Sequence, residues 1–152
     1  MLIEMKNGGL MKIRISAFLS IALCGSFFSF TNLALAQSPE DSATPIAESW
    51  LGLVDDGEYE DSWNAASSYF KNAVTKEQWI NSMNAFRKPL GKTITRKVES
   101  RQHTTSLPGA PDGEYVVIQC KTSFTNKKSA TETITPMKDK DGKWRVSGYY
   151  IK

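Results

Sequence analysis

The sequence predicts an α+β domain of about three helices followed by a four-stranded antiparallel sheet, curved and covered by the helices on one face. Two observations predict it. Apolar residues recur at helical spacing from Ile46 to Phe86, and after Gly91 the pattern changes to rough alternation rich in β-branched residues. Short turn signals separate the later stretches, so sequence neighbours are expected to pair in a meander.

The first helix is predicted from Thr44-Pro45, read as N-cap and first helical position, where proline's missing N–H does no harm. Residues 37–44 before it are polar and read as a flexible N-terminus, and residues 45–152 as one domain. Ile46, Trp50, Leu53 and Val54 make the apolar stripe of this helix, and Gly57 ends it. Tyr59, Trp63, Ala66 and Phe70 share one face of a second helix. Thr75-Lys76-Glu77-Gln78 has the spacing of a capping box and opens a third, bearing Trp79, Met83 and Phe86. Arg87 and Lys88 sit in its last turn, and Pro89 to Gly91 stop it.

Four strands are predicted: 93–103, 114–124, 130–138 and 143–151. Residues 107–113 form a breaker-dense loop, and Asp141-Gly142 is a hairpin signal. In the second strand Val116, Ile118, Cys120 and Phe124 share the more apolar face. In the first, Ile94 and Val98 share a face with Arg96 and Ser100; in the third, Ile134 shares one with Glu132. In the fourth, Trp144, Val146 and Tyr150 align. This phase sets Arg96 and Glu132 among aromatics beneath the helices. Either charge buried alone is costly, so the two are expected to meet each other or a ligand. Arg96, Glu132, Trp144 and Tyr150 are therefore the candidate ligand-binding residues.

Residues 1–36 read as a secretory signal sequence. Lys12 and Arg14 follow Met11, an apolar stretch runs from Ile15 to Phe30, and Ala34-Leu35-Ala36 offers a cleavage site. Glu4 and Gly8-Gly9 suit the start of such a segment poorly, which points to translation from Met11. Cys24 is preceded by Leu23, too large a residue for the position before a lipidated cysteine, and cleavage there would leave the apolar segment from Phe27 to Ala36 behind. Cleavage after Ala36 removes Lys6, Lys12, Arg14 and Glu4, so 19 basic and 16 acidic residues become 16 and 15. A domain so near neutrality gives no electrostatic reason to expect nucleic acid as a partner. The remaining 116 residues hold no second stretch able to span a bilayer. They hold one cysteine, Cys120, which rules out an internal disulfide there. The expected compartment is the periplasm or the exterior.

No cofactor and no metal are predicted. His103 is the single histidine, expected exposed at a strand end, and has no cysteine neighbours with which to hold zinc. Asp55, Asp56, Glu58, Glu60 and Asp61 crowd a helix junction without the spacing of a calcium loop. Asp55 and Asp56 also oppose the macrodipole of the first helix, a local rule broken. No G-x-S-x-G elbow, phosphate loop or H-E-x-x-H occurs.

Several motifs in combination carry a resemblance: Trp50-Leu51-x-Leu53-Val54-Asp55-x-Gly57-x-Tyr59, Ser62-Trp63, Arg87-x-Pro89-Leu90-Gly91, the run from Leu107 to Tyr115, and Asp141-Gly142-x-Trp144-Arg145-Val146-x-Gly148-Tyr149-Tyr150. Together they resemble the uncharacterised exported bacterial family called domain of unknown function 4019, over nearly all of residues 47–152. The resemblance implies an exported domain of cystatin-like or nuclear-transport-factor-like shape, and it supplies no activity and no catalytic residues. The resulting expectation is a binding or adaptor domain of the envelope, taking a small molecule or an envelope protein. The alternative is a small enzyme with Glu132 as acid or base and Arg96 as its electrostatic partner.

Overall fold

The computed structural model describes residues 37–152. The segment expected to be a signal sequence, with Met11, Cys24 and the expected cleavage point after Ala36, lies outside the described residues. Four helices come first: α1 (Pro39–Asp55), α2 (Tyr59–Ala65), α3 (Ser68–Ala73) and α4 (Lys76–Ser82). The last runs on through a π-helical turn (Met83–Arg87) and a 3-10 turn (Lys88–Leu90). Strands β1 (Thr93–Thr104), β2 (Tyr115–Phe124), β3 (Ala130–Lys138) and β4 (Trp144–Ile151) form an antiparallel sheet in the order β1-β2-β3-β4. The α+β class and the antiparallel meander are as predicted.

α1 begins at Pro39, six residues earlier than the sequence suggests, so most of residues 37–44 is helical. Ser38 Oγ accepts the Asp41 N–H at 3.1 Å, Pro39 takes the first helical position, and Glu40 and Asp41 favour the dipole there. Pro45 lies inside the helix instead of opening it. Having no N–H, it cannot serve the Asp41 carbonyl, and Gln37 Nε2 donates to that oxygen at 3.2 Å. The buried stripe is accordingly Ala43, Ala47, Trp50, Leu51 and Val54, with Ile46 left exposed.

The second predicted helix is two helices. Ala66 adopts extended backbone, and Ser67, which caps α3 by accepting the Phe70 N–H at 3.1 Å, donates its own N–H to the Val146 carbonyl on the edge of β4. The Thr75–Gln78 capping box is present with both of its hydrogen bonds.

Between helices and sheet sits one core, in which Trp50, Phe70 and Trp79 pack with Val116, Ile118, Ile134 and Val146. Ser62 ties its helical side together: its hydroxyl accepts Trp79 Nε1 at 2.9 Å and donates to the Tyr59 carbonyl, while its carbonyl accepts Trp50 Nε1 at 2.7 Å. Strands β2 and β3 keep the predicted alternation, with even-numbered residues inward. The edge strands do not. Irregularities between Thr93 and Thr95, between Val98 and Ser100, and opposite Thr135/Pro136 each insert a residue, which reverses the phase across it, so Ser100 does not share the inward face of Arg96.

Candidate functional site

Asp55 ends α1 on the side facing the sheet, and Arg96 reaches it from β1. Arg96 Nη1 donates to Asp55 Oδ2 at 2.7 Å and Nη2 to Oδ1 at 3.0 Å. The same guanidinium donates through Nε to Glu132 Oε2 at 2.6 Å and through Nη2 to Oε1 at 3.2 Å. The pairing of the strands makes this possible: Arg96 lies opposite Thr122, and Glu132 opposite Cys120, one step away on the same inward face. Thr122 Oγ1 and the Tyr149 hydroxyl complete the shell of Glu132, whose side chain is 0% exposed.

Arg87 extends the chain at its other end. It is 2% exposed and donates through Nη2 to Asp55 Oδ1 at 2.9 Å and to Thr93 Oγ1, and through Nη1 to the Gly91 carbonyl. Its guanidinium lies 4.5 Å from the Phe124 ring centroid, and its Nε is buried without an acceptor. The π-helical turn delivers it: one residue more per turn rotates Arg87 inward and leaves Phe86 outside, 74% exposed. Arg87, Asp55, Arg96 and Glu132 thus alternate in sign and sum to zero.

Electrostatics follow from this order. Burial pushes the Asp55 carboxyl up, but hydrogen bonds from Arg96 and Arg87 outweigh it and hold the group below the usual carboxylate range. Burial likewise disfavours the charge on Arg96, yet Asp55 and Glu132 bind its proton more firmly than water would. Burial pushes the Tyr149 phenol well up, and the adjacent Glu132 adds to the shift, so the phenol stays a donor.

Of the four residues the sequence singled out, the fold brings together Arg96 and Glu132. Trp144 is half-buried at the opposite end of β4, beside the core, paired with Lys138 while Ile151 pairs with Glu132. Tyr150 is 63% exposed and faces away from the cluster. The irregularity near Ser147 is the reason: Val146 points inward, and after one extra residue it is Tyr149, not Tyr150, that returns to that face. Ile94 is displaced in the same way, while Thr93 turns in to donate to Asp55 at 2.9 Å.

Sequence reasoning missed Asp55, Arg87, Thr93, Thr122 and Tyr149. One signal for Asp55 was present, a carboxylate set against the dipole at a helix C-terminus, which two guanidinium groups now neutralise. His103 departs from expectation too: it is half-buried, its N–H donates to Glu40 Oε1 at 3.1 Å, and its Nε2 is enclosed without a partner. It pairs with Val116 while Cys120 pairs with Val98, so the two do not meet. The breaker-dense loop is held at two points, by Tyr69 donating to the Gly109 carbonyl and Tyr115 to that of Pro111.

Two concavities flank Arg87. A cleft of about 590 Å³ lies against Asp55, Asp56, Tyr59, Asn84 and Lys92. A groove of about 470 Å³ runs between Trp79, Met83 and Phe86 on one side and Tyr149 to Ile151 on the other. Among the described residues no group of three or more His, Cys, Asp or Glu side chains is placed to hold a metal, and no helix is long and apolar enough to cross a membrane.

A family model described as Protein of unknown function (DUF4019) matches residues 46–149, and the chain belongs to that family. No curated protein and no solved structure matches it.

Proposed function

We propose that this DUF4019 protein is a non-enzymatic binding or adaptor domain of the bacterial envelope, exported by way of residues 1–36. The observation that carries the binding reading is the closure of the ionic cluster. Glu132 receives four donors and is shut from solvent, and Arg96 is occupied on both sides. A general acid or base needs a reachable proton acceptor or donor. Glu132 would have to give up hydrogen bonds from these four donors to become one, so the cluster is better suited to fixing α1, the π-helical turn after α4 and the sheet to each other. Binding then falls to the surfaces beside it, of which the groove under the π-helical turn is the more apolar. The export reading is supported by the order of charged, apolar and small residues before Gln37.

Native mass spectrometry of the protein recovered from the periplasmic fraction of cells expressing the full chain tests both parts. The expected species begins at Gln37 and carries a small-molecule adduct or a bound partner. Uncleaved protein confined to the cytosol would end the export reading, and a processed species with neither adduct nor partner would end the binding one.

A further inference from the structure

We infer that the groove between the π-helical turn and β4 is a binding site for an apolar molecule with a single anionic head, such as a carboxylate-headed acyl chain, its head lying toward Arg87. This deepens the binding reading above and rests on it. Three observations lead to this ligand class. The groove's volume, about 470 Å³, is within the range of small-molecule sites. Its walls are Phe70, Trp79, Met83, Phe86 and Ile151 with the tyrosines of β4, and no carboxylate lines it. Two of the large side chains on it, Phe86 and Tyr150, are the most exposed large apolar residues of the described chain. Such rings cost free energy in water unless something covers them.

The head group follows from the order of charges. The only charged residue on the groove is Arg87, the cationic end of the ionic chain. Each end has one shared charged partner and two neutral ones: Asp55, Thr93 and the Gly91 carbonyl for Arg87, and Arg96, Thr122 and Tyr149 for Glu132. What distinguishes the positive end is a buried donor left over, since Arg87 Nε has no acceptor whereas both Glu132 oxygens are engaged. An anion on the groove side is the complement; a cation there would face the guanidinium across an apolar wall that screens it poorly.

Isothermal titration calorimetry of the protein recovered from cells, with decanoate, decanol and decylammonium each held below micelle-forming concentrations, tests this. Decanoate is expected to bind one to one and about tenfold more tightly than decanol, with decylammonium weakest. Phe86→Ser with Tyr150→Ser, both at exposed positions, is expected to weaken decanoate about tenfold at an unchanged melting temperature. Equal affinity for decanoate and decanol would overturn the anionic head while leaving the groove as a binding surface. Equal binding to wild type and the double variant would place the ligand elsewhere and overturn the site. Absence of heat from all three would also overturn it, and the binding reading would then stand or fall on the native mass spectrum.

Discussion

Arg96 Nε lies 2.6 Å from Glu132 Oε2, joining β1 to β3 across the intervening strand beneath the helices. Neither charge is tolerable there alone. Arg96→Met should cost about 3–5 kcal/mol, because Glu132 and Asp55 both lose their main counter-charge. Glu132→Gln should cost less, since Arg96 keeps Asp55. In urea unfolding the double variant should be more stable than the sum of the singles predicts. Strict additivity would mean that the two groups do not interact.

Acid should weaken the fold through Asp55. Its folded pKa lies below the unfolded value of about 3.9, so its contribution is complete above that pH and is lost as pH falls through the folded pKa. Urea midpoints measured from pH 6 downward should therefore fall below about pH 4. Asp55→Asn should be less stable at neutral pH and show a shallower acid slope; an unchanged slope would assign the acid sensitivity to other carboxylates.

Ser62→Ala should cost about 1–3 kcal/mol, since Trp79 Nε1 would keep its buried donor and lose its acceptor. A change in tryptophan emission should accompany the loss. Ser62→Thr retains the hydroxyl but adds a methyl to a fully buried position, so it should not restore full stability.

Gly91 has φ +79° and ψ −156°, a conformation essentially reserved for glycine. A Cβ there would clash with Thr125 Oγ1. Gly91→Ala should cost upwards of about 2 kcal/mol, and removing the Thr125 hydroxyl as well should recover only part, because the backbone strain stays. Thermal unfolding of both variants separates the two causes; full recovery would assign the whole loss to the clash.

Burial pushes the Cys120 thiol up, and Glu132 nearby adds to the effect. In a Cys24→Ser background, Ellman's reagent should label Cys120 only as fast as the protein opens, accelerating with urea. Prompt labelling of the native state would contradict its burial.

The strands within the sheet and the capped third helix were legible because alternation and cap chemistry are local. In β2 and β3 the even-numbered side chains turn inward as their spacing requires. The pairing of Arg96 with Glu132 could be read for the same reason, with its phase carried by Val98 and Ile134. What could not be read is where one surplus residue enters. The extra residue near Ser147 exchanges Tyr149 for Tyr150, and the one near Ile94 brings in Thr93, yet neither leaves a mark on composition. The early start of α1 was hidden by two competing proline signals, Pro39 and Pro45, of which the one preceded by Ser38 marks the true start. Asp55 was visible as an anomaly, but its partners come from 32 and 41 residues away, a distance that no local rule spans.

The π-helical turn holds one residue more than an ordinary helical turn would. It makes one stretch of five residues serve two directions at once, with Arg87 committed to the interior and Phe86 to the outside. Excising one residue, Asn84 for instance, would let α4 continue with ordinary winding. Every side chain after the cut would then swing by about 100°. Such a deletion would separate Arg87 from Asp55 and close the groove in a single event, so the interior lock and the open face cannot be lost one at a time by changing the length of this helix.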